Sequence, residues 1–278
     1  MEVPQSITRN IYDKMTREAI FQKGVVYRME NVSFENENGL TLRGLWQEGS
    51  TKKGIIMCHG FRSNRSSRGR FDRLASTFQE KGYSVLRFDF GGCGESDNRP
   101  LTLRGEVEDL TAAIEYVTEK GTEDLALFGH SLGARVCLEA YQRDRIKTMM
   151  FTGAGTGPVQ YDWSAEFTTE QLAELADTGF LTQSVEDPFR SSIIIPEEML
   201  RDFDDFDQEE LLSRVACPVY LIHGDQGEEA ILMPLTREGM VYLPKESQLT
   251  VFKGAAHDLM DQMNEIEHLA CQWMKNFL

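Results

Sequence analysis

The pentapeptide Gly129-His130-Ser131-Leu132-Gly133 sets a serine between two glycines, directly after the apolar run Leu125-Ala126-Leu127-Phe128 and before a helical segment, Ala134 to Arg143. This spacing predicts a strand, a sharp turn and a helix with the serine at the apex. A turn so tight forces the serine into strained backbone angles, and a Cβ at either flank would collide as the helix packs back onto the strand. Strain of that kind marks a functional serine. The chemistry it suits is nucleophilic attack, but a serine hydroxyl needs a base to take its proton, and the base needs an acid to orient it. His257, which follows Lys253-Gly254-Ala255-Ala256 after the last predicted strand, is the expected base. The other histidines fit other tasks: His130 leaves the turn in a different direction, His59 braces its loop, His223 ends a buried strand and His268 sits on the last helix.

The elements that must hold these residues can be read from hydrophobic spacing. Val32 and Phe34, then Leu40 and Leu42, flank Asn36-Glu37-Asn38-Gly39 and predict a hairpin that opens the sheet with antiparallel strands. Ile55 to Cys58, Val85 to Phe90, Leu125 to Phe128, Ile146 to Thr152, Pro218 to Ile222 and Leu249 to Phe252 are short apolar runs, as expected of strands covered on both faces. Between them, Phe71, Leu74, Ala75 and Phe78, then Leu103, Val107, Leu110, Ile114 and Val117, recur at helical spacing, and Ile266 to Phe277 predicts a terminal helix. Alternating β and α units imply an α/β fold, a mostly parallel, doubly wound sheet with helices on both faces. Ligands on such sheets sit beyond the carboxyl ends of the strands. His59, Ser131, Asp225 and His257 all lie just past such ends.

Five segments together resemble the α/β-hydrolase superfamily: Cys58-His59-Gly60-Phe61, Phe88 to Asp97 with its Gly91-Gly92-Cys93-Gly94 turn, Gly129 to Gly133, Leu221-Ile222-His223-Gly224-Asp225, and Gly254-Ala255-Ala256-His257. The H-G-F loop and a compact insertion before the acid strand are similar to the cinnamoyl and feruloyl esterase-like group and its serine-aminopeptidase-type relatives. The resemblance implies a chain order of serine, acid, histidine. It also implies an oxyanion hole made by the backbone N–H groups of Phe61 and Leu132, fixed dipoles of which one is typically worth about 10²–10³ in rate. For the acid, the usual H-G-x-x-D spacing falls on position 227, which is Gly227 here. Asp225, Glu228 and Glu229 remain nearby; Asp225 is favoured slightly over Glu228, whose longer side chain could make up a one-residue shift, and Glu229 stands behind both.

The regular alternation stops between Gly153 and Arg214. The expected organisation is a hydrolase core of residues 1–154 and 214–278 with an inserted cap, 155–213. Tyr161, Trp163, Phe167, Phe203 and Phe206 in that segment would line a pocket or pack the cap itself. Arg62, Arg65, Arg68 and Arg70 cluster after the H-G-F loop; pairing with local acids explains such a cluster, and so would binding a carboxylate or phosphate.

The bulk properties bound the alternatives. A formal charge of −16 over 278 residues disfavours nucleic acid and anionic membranes as partners. No run of about 18 apolar residues predicts a membrane span, and the polar stretch Met1 to Lys23 does not look like a signal peptide, so a cytoplasmic protein is expected. Five scattered cysteines form no C-x-x-C pair, and neither a metal nor a cofactor is expected. The reading is a serine esterase acting on a small or medium, fairly apolar ester. A thioesterase or amidase with the same machinery, or a noncatalytic protein that kept the fold, are the alternatives.

Overall fold

In the computed structural model, residues 18–22 and 25–278 are described. The polar stretch read from Met1 to Lys23 lies mostly outside them, and its portion Glu18–Gln22 forms β1, a strand the sequence reading did not expect. Next come β2 (Val25–Glu35) and β3 (Thr41–Gln47), joined by the expected turn, in which Asn36 Oδ1 accepts from the N–H groups of Asn38 and Leu40. Then follow β4 (Lys53–Cys58), α1 (Arg70–Glu80), β5 (Ser84–Asp89), α2 (Leu103–Glu119), β6 (Asp124–His130), α3 (Leu132–Glu139) and β7 (Ile146–Thr152). The helix after the serine ends at Glu139, four residues before the expected Arg143.

Among the described residues, nine strands make one sheet in the order β1-β2-β3-β5-β4-β6-β7-β10-β11, with β10 at Val219–His223 and β11 at Gln248–Val251. The first three strands pair antiparallel and β3 meets β5 antiparallel, whereas every pair from β5 to β11 is parallel. This is the expected α/β arrangement, and alternation along β4 shows why both faces are covered. Ile55 and Met57 join the cluster under α1 and the terminal helix, while Ile56 and Cys58 join the larger cluster with α2 and α3. Each such side chain removed from water contributes about 1.5–3 kcal/mol, which is why the apolar runs do not alternate with polar residues.

Between β7 and β10 lie α4 (Trp163–Glu166), α5 (Thr169–Thr178), a separate antiparallel pair β8 (Phe180–Ser184) and β9 (Ser192–Pro196), α6 (Glu197–Arg201) and α7 (Gln208–Ser213). Thr168 and Gln171 form a capping box that starts α5, and Gly179, at φ 82°, ends it in the left-handed conformation that a glycine adopts without penalty. Arg190, in the loop between β8 and β9, fastens this segment to the sheet. Its three guanidinium nitrogens donate to the carbonyls of Gly92, Cys93, Gly94 and Ser96 and to Asn98 Oδ1, at 2.6–2.9 Å. The chain closes with α8 (Glu229–Gly239) and α9 (Met263–Phe277), the expected terminal helix; α8 was not expected.

Candidate active site

Ser131 occupies the junction of β6 and α3 at φ 55° and ψ −123°, outside the ordinary regions for a residue with a Cβ. The neighbouring glycines explain how the turn closes. A Cβ on Gly129 would come within 2.6 Å of the Ala134 Cα, and one on Gly133 would run into the Cys58 carbonyl oxygen. Helix α3 therefore packs directly against β6 and β4. On the facing loop, His59 is fully buried; its Nε2 accepts from the Phe90 N–H at 3.2 Å, so Nδ1 carries the proton and donates to the Gly60 carbonyl at 2.9 Å. Burial keeps this imidazole from charging, which lowers its pKa. A trans peptide sets the Phe61 N–H opposite the Gly60 carbonyl, so His59 fixes the direction of the amide expected as an oxyanion donor. Leu132 is the first residue of α3, where an N–H has no partner within the helix.

His257 follows β11 through a turn at Gly254, φ 80°. Its Nδ1 lies 2.5 Å from Glu229 Oε1, which leaves Nε2 as the ring nitrogen not engaged by Glu229. Glu229 is fully buried; its other oxygen takes hydrogen bonds from His223 Nδ1 at 2.6 Å and from the Gly224 N–H at 3.1 Å. Burial alone would raise the pKa of this carboxyl, but the donors on His223 and His257 outweigh it and bring the value to about 2. Ser131 and His257 line one cavity of about 490 Å³, together with Phe61, Tyr161, Trp163 and Phe203.

Neither carboxylate favoured from the sequence is the one bonded to Nδ1 of His257. Asp225 is half-buried and is not bonded to His257: its Oδ1 accepts from the Gly254 N–H at 2.7 Å and from Gln226 Nε2 at 2.8 Å, so it ties its loop to the one bearing His257. Glu228 does not hold Nδ1 either. One of its oxygens accepts the Tyr161 hydroxyl at 2.5 Å and the other lies 3.6 Å from His257 Nε2. The physical reason is the loop. Gly227, at φ 62°, turns the chain so that α8 begins two residues past the usual acid position, and its first residue, Glu229, is the buried one that meets His223 and His257. A signal for this was present: Glu229, Leu232, Thr236 and Gly239 are spaced three, four and three apart and form the buried face of α8.

The family model described as Serine aminopeptidase, S33, matches residues 49–202. Among curated proteins, an uncharacterized protein of Mycobacterium tuberculosis is 33% identical over 144 residues, which are 48% of this chain and 50% of that protein. Polyketide transferase grgF of Penicillium sp. is 32% identical over 123 residues, 41% of each chain. The match thus spans about half the length, or less, of these curated relatives. Among solved structures, the α/β hydrolase GrgF from Penicillium sp. sh18 superimposes with a TM-score of 0.68 at 19% identity, covering 89% of this chain and 96% of that one. The Pyrococcus furiosus esterase Pf2001 superimposes with a TM-score of 0.66 at 17% identity, covering 90% and 93%.

Proposed function

The chain belongs to the Serine aminopeptidase, S33, family of α/β hydrolases, and from that premise we propose that it is a serine carboxylesterase with Ser131, His257 and Glu229 as its triad. The observation that carries the reading is the 2.5 Å hydrogen bond that Nδ1 of a histidine gives to a buried carboxylate, the histidine sharing a cavity with a strained serine. With Glu229 charged and fixed, the proton of neutral His257 sits on Nδ1 and Nε2 is free to accept the serine proton. Ser131 Oγ then attacks the ester carbonyl, and the oxyanion forms against the N–H groups of Phe61 and Leu132. His257 gives its proton to the departing alcohol, and water hydrolyses the acyl-enzyme by the same path in reverse.

The cavity volume and its aromatic lining suit a small or medium, fairly apolar acyl or alcohol group. Segment 155–213, which supplies Tyr161, Trp163 and Phe203 to that lining, acts in this reading as the cap over the serine. Thioester or amide cleavage would use the same groups, and transfer of the acyl group to another acceptor, as the name of the Penicillium relative suggests, would differ only in what enters after the alcohol leaves. A noncatalytic role had Gly227 as its support; the carboxylate that meets His257 from position 229 favours the catalytic reading instead.

Hydrolysis of p-nitrophenyl butyrate by the purified protein beside Ser131→Ala tests the proposal. Turnover that disappears in the variant is expected, along with labelling of Ser131 by a fluorophosphonate probe. A folded protein that neither turns over esters or thioesters nor takes the probe would sink it.

A further inference from the structure

The four arginines that follow the H-G-F loop do not share one fate. Arg65 forms ion pairs with Asp89 and Glu95. Arg62 reaches Glu166 at 3.3 Å and Gln183 Oε1 at 3.1 Å. Arg70 is buried and donates to the Ser67 carbonyl, the Ser67 hydroxyl and the Asp258 carbonyl at 2.7–3.0 Å. Arg68 is exposed, and among the described residues no carboxylate or other acceptor is bonded to its guanidinium. It lines the cavity that holds Ser131 and His257, and also a neighbouring cavity of about 720 Å³, where Phe61, Arg62 and Ser63 form the shared wall.

The backbone beneath Arg68 is a second, separate observation. Ser67, Arg68 and Gly69 have φ values of 47°, 58° and 86°, three left-handed residues in succession. Two of them carry a Cβ, at about 1–2 kcal/mol each. The turn is held by the Ser67 N–H on the Asn64 carbonyl at 2.9 Å, by the Gly69 N–H on Ser66, and by Arg70 clasping Ser67. None of these bonds uses the Arg68 side chain, so the surrounding loop sustains a strained conformation whose product is one unneutralised cation beside the serine.

The carboxylates around the cavities are mostly committed. Glu166 faces Arg62, Glu228 accepts from Tyr161, Asp258 accepts from the Met260 N–H, and Asp187 accepts from Asn64 and the Phe189 N–H. Glu186, an exposed residue on the wall of the second cavity, would repel an anion placed there. That leaves the junction of the two cavities.

We propose that Arg68 binds an anionic group, a carboxylate or a phosphate, carried by the substrate away from its scissile bond. The inference rests on Ser131 being the nucleophile and narrows the substrate class to acyl compounds with a charged end. Against a net charge of −16 the attraction is local and screened by salt. A charge-assisted hydrogen bond of this kind is worth about tenfold or more in affinity.

The test measures kcat/KM for p-nitrophenyl butyrate, for the mono-p-nitrophenyl ester of glutaric acid and for butyryl-CoA, with wild type, Arg68→Gln and Arg68→Glu. The ratio of charged to neutral substrate should fall about tenfold in Arg68→Gln and further in Arg68→Glu, through KM. A fall confined to the glutarate ester identifies a carboxylate, and one confined to the CoA ester identifies a phosphate. Direct binding of monomethyl glutarate and of CoA to Ser131→Ala, with and without Arg68→Gln, separates this proposal from the esterase reading. An inactive wild type whose Ser131→Ala form loses about tenfold in affinity with Arg68→Gln would retain the anion site and discard the esterase. Ratios and affinities that do not move with Arg68 overturn the site.

Discussion

Glu229 and Glu106 are both buried glutamates in the first turn of a helix, and their pKa values are shifted in opposite directions. Both feel the favourable end of a helix macrodipole. Glu229 has two imidazole donors and a backbone amide, and its pKa falls to about 2. Glu106 has an oxygen with no partner; burial first and the neighbouring Asp109 second raise its pKa to about 8, and Arg99, which gives its hydrogen bond to Asp109, only partly opposes them. Burial and a helix terminus therefore do not decide the charge of a carboxyl group. The donors aimed at it do, and the protein has aimed them at the acid beside His257.

The largest effect should come from taking the charge off the favoured acid. Glu229→Gln is expected to lower kcat by about 10³–10⁴, the loss typical when a triad acid is neutralised, while Asp225→Asn and Glu228→Gln each cost less than about tenfold. A severe Asp225→Asn beside a mild Glu229→Gln would return the acid to the position expected from the sequence. His223→Leu removes one of the two imidazoles and should lower kcat about tenfold, a hydrogen bond to a charged group being worth about 1.5–3 kcal/mol. In His223→Gln, whose amide can still donate, kcat should recover in part. If His223→Leu were silent, the amide of Gly224 and His257 alone would suffice to hold Glu229.

Smaller effects appear in stability against pH. The folded pKa of Glu229 lies below the ordinary 4.5, so the unfolded chain binds the proton first; the stability it contributes is present above about 4.5 and is lost as pH falls toward 2. Urea unfolding between pH 5 and 2 should show that acid limb flattened in Glu229→Gln. Glu106 has the opposite sign: its contribution is complete below about 4.5 and is lost as pH rises toward 8, since the unfolded chain ionises while the folded one does not. Glu106→Gln should flatten the decline between pH 5 and 8, and its Tm relative to wild type should be higher at pH 8 than at pH 5 by roughly a few degrees. Equal differences at both pH values would mean that Glu106 is ionised in the fold and that the contrast with Glu229 is mistaken.

How far the sequence foretold this depended on the length of each signal. Strands β4 to β7 could be read because burial on both faces leaves unbroken apolar runs such as Ile55-Ile56-Met57-Cys58. Strand β1 escaped because five residues at the sheet edge carry too little pattern. The pair β8 and β9 escaped because Ile193, Ile194 and Ile195 point alternately inward and outward within a short run, which looks the same as cap packing. At the site, the local turns that carry Ser131 and His257 were legible. The carboxylate that meets His257 Nδ1 was not, because a spacing rule counted from His223 points to position 227, two residues short of Glu229. Pro234 inside α8 hid the helix whose periodicity would have placed Glu229 on the buried face.

Arg190 bears on how this protein could be re-engineered. The segment between β7 and β10 has the outward form of a cassette that could be exchanged to change what enters the cavity. Yet its hairpin loop supplies the donors for four backbone carbonyls and one side-chain amide oxygen of the loop after β5. A transplanted segment without an arginine at that place would leave those carbonyls to find water at the rim of the sheet, and the graft would loosen the scaffold it was meant to decorate. Recombination and library design should therefore treat position 190 and residues 92–98 as one inherited unit.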